Sequence, residues 1–134
     1  MSSPVKLLPT ILELPKIPDP RGNLTFLQNN DQIPFEIKRV FWTYDVPGGG
    51  VRGGHAYKTQ QEVIVALSGS FDVVITLNDG TVKKFHLNRS YIGLYLPPNI
   101  WRHIENFSTN SLCMHISSSI YNSSDCLREL ESLY

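Results

Sequence analysis

The chain has 134 residues, which fits one domain. Twelve lysines and arginines balance twelve aspartates and glutamates, and no basic block marks a nucleic-acid surface. Hydrophobic residues make up 41% of the chain, enough for one core, and no apolar run approaches the ~18–20 residues of a membrane-spanning helix.

The opening Met1-Ser2-Ser3-Pro4-Val5-Lys6 carries no charged-then-apolar leader, so the expected compartment is the cytoplasm. Cys113 and Cys126 have no nearby Cys/His partner at zinc-finger spacing and read as reduced, inert thiols.

Residues 1–22 form a Pro-rich arm (Pro4, Pro9, Pro15, Pro18, Pro20), expected to be extended, with short strands at 5–8 and 11–14. Such an arm is a candidate for exchange between subunits. Asp19-Pro20-Arg21-Gly22-Asn23 reads as a turn, and 24–28 as a short strand. Residues 36–44 are β-branched and aromatic, hence a strand, and 45–54 are a Gly-rich loop. Apolar or alternating strands follow at 62–67, 71–77, 81–87, 91–96, 100–105 and 111–117. Asn78-Asp79-Gly80 is a hairpin signal. In the tail, 120–134, the spacing of Leu127, Leu130 and Leu133 predicts a helix over 124–133, capped by Ser124. About nine short strands at intervals of roughly ten residues predict an all-β, jelly-roll barrel or sandwich.

Gly49 to Glu62 stands apart. It places glycines, Arg52, His55 and Tyr57 just before a buried-type strand. Strand side chains alternate, so His55 and Tyr57 share a face. The stretch reads as the active-site strand of a small barrel.

Gly49-x5-His55-x-Tyr57-x4-Glu62-x6-Gly69 resembles the first cupin motif, with Tyr57 where a second His is usual. Gly93 to Pro98, with His103 and Asn106, resembles the second. Five further strings resemble the cupin-fold sugar 3,4-ketoisomerases acting on dTDP-4-keto-6-deoxy-D-glucose. They are Ile33 to Val40, Arg52-Gly53-Gly54-His55-Ala56, Ser68-Gly69-Ser70, Asn78-Asp79-Gly80, and Gly93-Leu94-Tyr95 with Trp101. Together they cover about residues 20–118.

The resemblance implies a homodimeric cupin with exchanged N-terminal strands and a reaction without metal or other cofactor. The ketone moves from C4 to C3 through an enediol. This prepares the 3-position for an aminotransferase in making 3-amino sugars of bacterial surface glycans. A neutral imidazole suits removal of the C3 proton, so His55 is the expected base. Tyr57 either carries protons between O4 and O3 or holds the sugar. Arg52 and Arg39 are candidates for the diphosphate, since a guanidinium binds phosphate oxygens in pairs. Arg21 and Arg102 match positions that differ between members giving galacto and gluco products, and arginine at both leaves the product configuration open. Thymine has four candidate aromatics, Phe41, Trp42, Tyr44 and Tyr95.

Two other readings stand beside this one. A non-catalytic nucleotide-sugar-binding cupin accounts for Tyr57 in place of His. A metal-dependent cupin would use His55, Glu62 and His103 as ligands. His86 and His115 are expected to face solvent or to be hydrogen-bonded in the core.

Overall fold

The computed structural model describes residues 8–130. Ten strands follow one another: β1 (Thr10–Glu13), β2 (Arg39–Tyr44), β3 (Arg52–Tyr57), β4 (Glu62–Ser68), β5 (Phe71–Thr76), β6 (Val82–Leu87), β7 (Ile92–Leu96), β8 (Trp101–Glu105), β9 (Leu112–Ser117) and β10 (Cys126–Leu127). They form two five-stranded antiparallel sheets, ordered β1-β7-β4-β9-β2 and β10-β3-β8-β5-β6. No described helix is long and apolar enough to cross a membrane.

The main core fills the space between the sheets. Ile64, Ala66, Leu94, Leu96 and Cys113 come from the first sheet, and Phe71, Val73, Ile75, Leu87 and Ile104 from the second. A second cluster lies on the outer face of the first sheet. There Leu14, Ile33 and Phe35, from the segment before β2, cover Val63, Val65, Tyr95 and Ile116. Strand β4 is therefore buried on both faces, which is why its sequence is a continuous apolar run and not an alternation. Each fully buried aliphatic or aromatic side chain contributes about 1.5–3 kcal/mol. Strand β2 is half-buried on one face and lies at a sheet edge, so it alternates, leaving Val40, Trp42 and Tyr44 exposed.

Three expectations change. The Gly-rich loop expected over 45–54 ends early, because Arg52, Gly53 and Gly54 already belong to β3. The strand expected at 24–28 reduces to one bridge, Ile17 with Leu24. Side-chain acceptors take the backbone donors instead: Gln32 Oε1 accepts from Gln28 N (2.8 Å) and Asn29 Oδ1 from Ile37 N (2.9 Å). The helix expected from Ser124 is absent over the described residues. Asn122 caps a single 3₁₀ turn, Ser123–Asp125, and the chain then enters β10. Tertiary bonds override the leucine spacing here. The buried Asp125 carboxylate accepts from Thr59 N, Thr59 Oγ1 and Gln60 N at 2.9–3.1 Å, and β10 pairs with β3. The strand expected at 5–8 falls almost wholly outside the described residues, as do positions 131–134.

Candidate active site

Strand β3 carries a bulge that aims His55. Arg52 lies opposite Ile104 and His55 opposite Arg102, so four residues of β3 match three of β8. Gly53 and Gly54 absorb the extra residue at φ of 97° and 75°. A Cβ on Gly53 would come within 3.1 Å of His103 Cα. An odd step along a strand normally reverses the face; the bulge restores it. His55 thus shares the inner face with Arg102, since directly opposed residues do. Tyr57 follows two residues later, its ring edge-on to the His55 imidazole at 4.9 Å.

Arg102 is 1% exposed, with its guanidinium 5.1 Å from the centre of the Tyr57 ring. Its nearest carboxylate oxygen, Glu62 Oε2, is 4.0 Å from Nη2. None of its Nε, Nη1 and Nη2 makes a protein hydrogen bond. Burying donors this way is costly unless something accepts from them. Glu62 is itself well partnered. Its Oε1 lies 2.7 Å from His115 Nδ1, and its Oε2 accepts from Gln60 Nε2 at 3.1 Å. Gln60 Oε1 in turn accepts from Arg39 Nη2 at 3.0 Å. Phe41 stacks flat on the His115 ring at 4.4 Å, and His115 Nε2 is 3.3 Å from Cys113 Sγ.

These surroundings set the charges. Burial first, and then Arg102, push the His55 imidazolium down to a pKa of about 4, so the ring is neutral at neutral pH. Burial alone raises the Glu62 carboxyl, but His115 and Arg102 more than reverse this and hold it down at about 2. Burial raises the Tyr57 phenol, which stays protonated. The site therefore presents a neutral base, a protonated phenol and a fixed cation on one inner face.

The mouth of the site is a pocket of about 390 Å³ lined by Val51, Arg52, Gly53, His55 and Arg128. A larger pocket of about 670 Å³ lies between the arm and the outer face of the first sheet, lined by Leu14, Leu27, Val65 and Met114 among others. It holds no histidine or carboxylate, whereas the smaller one opens on His55.

Of the residues singled out in the sequence, the structure brings together His55, Tyr57, Arg52 and Arg102. Arg39 lies on β2 and joins the inner network through Gln60, with its guanidinium over Phe41 and Tyr121. Arg21 sits on a surface turn, its side chain 91% exposed and paired with Asp19 at 3.0 Å. Tyr95 is fully buried on the other face of its sheet, packed near Phe35 with its hydroxyl donating to Gln61 Oε1. It does not reach His55, because the inner face of β7 belongs to Leu94 and Leu96. Trp42 and Tyr44 also point outward.

The three proposed metal ligands are not assembled. His103 neighbours the inward Arg102 on β8, so it faces outward, and its Nε2 meets Glu105 at 2.7 Å. Among the described residues no three His, Cys, Asp or Glu side chains are grouped to hold a metal ion. His86 is half-exposed and bonded to Asp72, and His115 is a core histidine. The sequence reading gave no role to Gln60, Asp125 or Arg128, and treated Glu62 only as a metal ligand.

Known proteins share this architecture and sequence. The chain matches the FdtA family, described as WxcM-like, C-terminal, over residues 8–134. A TDP-4-oxo-6-deoxy-alpha-D-glucose-3,4-oxoisomerase of Aneurinibacillus thermoaerophilus is 35% identical over 123 residues, covering 91% of this chain and 87% of that one. The WlaRB TDP-quinovose 3,4-ketoisomerase of Campylobacter jejuni superposes with a TM-score of 0.88 at 37% identity, covering 93% and 95% of the two chains. The sugar 3,4-ketoisomerase QdtA of Thermoanaerobacterium thermosaccharolyticum, solved with TDP, gives 0.91 at 29% identity over 93% and 90%. A histidine-to-asparagine mutant of QdtA was solved with TDP-4-keto-6-deoxyglucose. On the match over nearly its whole length, this chain belongs to the WxcM-like, C-terminal family.

Proposed function

We propose that the protein is a sugar-nucleotide 3,4-ketoisomerase that converts TDP-4-keto-6-deoxyglucose to its 3-keto isomer. One observation carries the chemistry: a neutral His55 and a buried, hydrogen-bond-free Arg102 face each other across the β3–β8 pair, with Tyr57 against both. Relatives and structural neighbours bearing 3,4-ketoisomerase names support the substrate class.

The reaction is a proton relocation and needs no oxidant. His55 takes the C3 proton. The electron pair moves onto O4, giving an enediolate beside the Arg102 guanidinium. Its unpaired donors stabilise the charge as it develops, in a site with little water to compete. The Tyr57 hydroxyl gives a proton to O4 and recovers one from O3, which becomes the new ketone. The His55 imidazolium, able to exchange its proton with solvent, delivers a proton to C4, which completes the isomer and frees the base. Glu62, held by His115 and Gln60, keeps an anion near Arg102 and anchors this side of the site. Arg52, exposed at the mouth, binds the diphosphate. The product offers a 3-keto group to an aminotransferase.

The working form is a cytoplasmic homodimer. Two free cysteines suit a reducing compartment. Strand β1 is an edge strand paired with β7 of its own chain, and an exchange of this arm would put it on the same β7 edge of a second copy. At the opposite edge, β2 exposes Val40, Trp42 and Tyr44, with Trp42 58% exposed, a surface suited to a second copy.

The test is proton NMR of TDP-4-keto-6-deoxyglucose with chelator-treated protein. A 3-keto product supports the isomerase. Broadened nucleotide signals with an unchanged sugar would favour a binding protein in which Tyr57 has replaced a needed histidine. Neither product nor broadening would overturn both.

A further inference from the structure

Arg128 is the residue of this site that no motif announces. Strand β10 sets Cys126 against Tyr57 and Leu127 against Ala56. The next step of that register brings Arg128 alongside His55, and the two line one pocket with Arg52. That lining contains two guanidinium groups and no carboxylate. Both arginines are exposed, and neither makes a side-chain hydrogen bond or ion pair among the described residues. The Arg128 charge is close enough to help lower the His55 pKa.

The tail that carries Arg128 is fastened just before it. The Asp125 carboxylate is held by Thr59 N, Thr59 Oγ1 and Gln60 N, while Lys58 N donates to the Asp125 carbonyl at 2.9 Å. Gln60 also donates to Glu62, so one residue links the tail to the inner network.

We infer that Arg128 is the second arm of a diphosphate clamp, lining the pocket mouth with Arg52, and that Asp125 is the latch that places it. The inference rests on the nucleotide-sugar reading above. Two guanidiniums lining one pocket suit the separate phosphates of a diphosphate, each offering paired oxygens. The sugar then lies inward over His55, Tyr57 and Arg102. The tail is thereby part of the substrate site.

Calorimetric titrations of wild type, Arg128→Met and Arg128→Lys with TDP and with thymidine test this. Arg128→Met is expected to weaken TDP binding by about tenfold or more, the loss of a charge-assisted hydrogen bond. Thymidine binding should stay within about twofold, because it has no diphosphate to lose. Arg128→Lys should fall between, keeping the charge and losing the fork. Wild-type affinity for TDP in Arg128→Met would overturn the clamp and leave the isomerase reading intact. Equal losses for TDP and thymidine would also overturn it, marking Arg128 as structural. A wild-type protein that fails to bind TDP would overturn the clamp and the nucleotide-sugar reading together.

Discussion

The two ends of the space between the sheets are built by the same strands with opposite chemistry. At one end β4, β9 and β8 contribute Ala66, Cys113 and Ile104, closed over by Phe71 and Leu87. Farther along those strands, on the same inner face, stand Glu62, His115 and Arg102, all buried. The apolar end gains stability from every side chain it removes from water. The polar end spends some of that gain, since buried charges stabilise a fold weakly at best and unbonded ones cost it. On the proposed function, the buried Arg102 donors that no protein group accepts from are met by the substrate. On the proposed function the polar end does the chemistry, and the apolar end supplies the stability that holds it in place.

Substitutions should separate the two ends. The largest expected effect is on activity at the polar end. Arg102→Met should cut turnover by about 10²–10³, the usual loss when a donor to a developing oxyanion is removed. Its thermal midpoint should fall only modestly, because Met fills the space while the Glu62 carboxylate that loses Arg102 keeps His115 and Gln60 as partners. Steady-state kinetics and a melting curve on one preparation check both halves. A mutant that melts much earlier would mean that Arg102 is structural.

At the apolar end, Phe71→Ala should cost about 3–5 kcal/mol in denaturant unfolding. The surviving folded protein should bind TDP like wild type. A loss of TDP affinity without a loss of stability would erase the distinction between the ends.

Smaller effects sharpen the roles within the polar end. Tyr57→Phe keeps the ring under Arg102 and removes only the hydroxyl. If that hydroxyl relays protons, turnover should fall by about 10²-fold with little change in KM. A rise in KM alone would make Tyr57 a sugar holder. The acid limb of kcat/KM should come near pH 4 and not near 6.5, because the free enzyme's His55 must be neutral to act. The sign extends to stability. A histidine whose folded pKa is depressed binds fewer protons than the unfolded chain between about pH 4 and 6.5, so its contribution is lost as pH falls through that window. A kcat/KM limb near 6.5 would place His55 in water.

The strand pattern was legible in the sequence because alternation and apolar runs are direct consequences of burial. Residues 71–77, 81–87 and 111–117 contain β5, β6 and β9 with ends within a residue or so. The shared face of His55 and Tyr57 was legible for the same reason. Which face of a doubly buried strand looks inward was not. Tyr95 sits between Leu94 and Leu96, and an apolar run carries no mark of its inner side. The bulge at Gly53 and Gly54 was visible as glycine but not as a change of face. The tail was misread because leucines three apart fit a helix locally, whereas Asp125 bonds to residues more than sixty positions away. Arg128 was missed with it, since its place depends on the β10–β3 register and on no motif.

The account depends most on His55 as the base of the polar end. The direct measurement is proton NMR of TDP-4-keto-6-deoxyglucose in deuterated water with wild type and His55→Asn in parallel. Wild type should give the 3-keto isomer with deuterium entering at C4. His55→Asn should broaden the nucleotide signals on binding while the sugar keeps its C3 proton and does not isomerise. A variant that binds and still isomerises at near the wild-type rate would contradict the account.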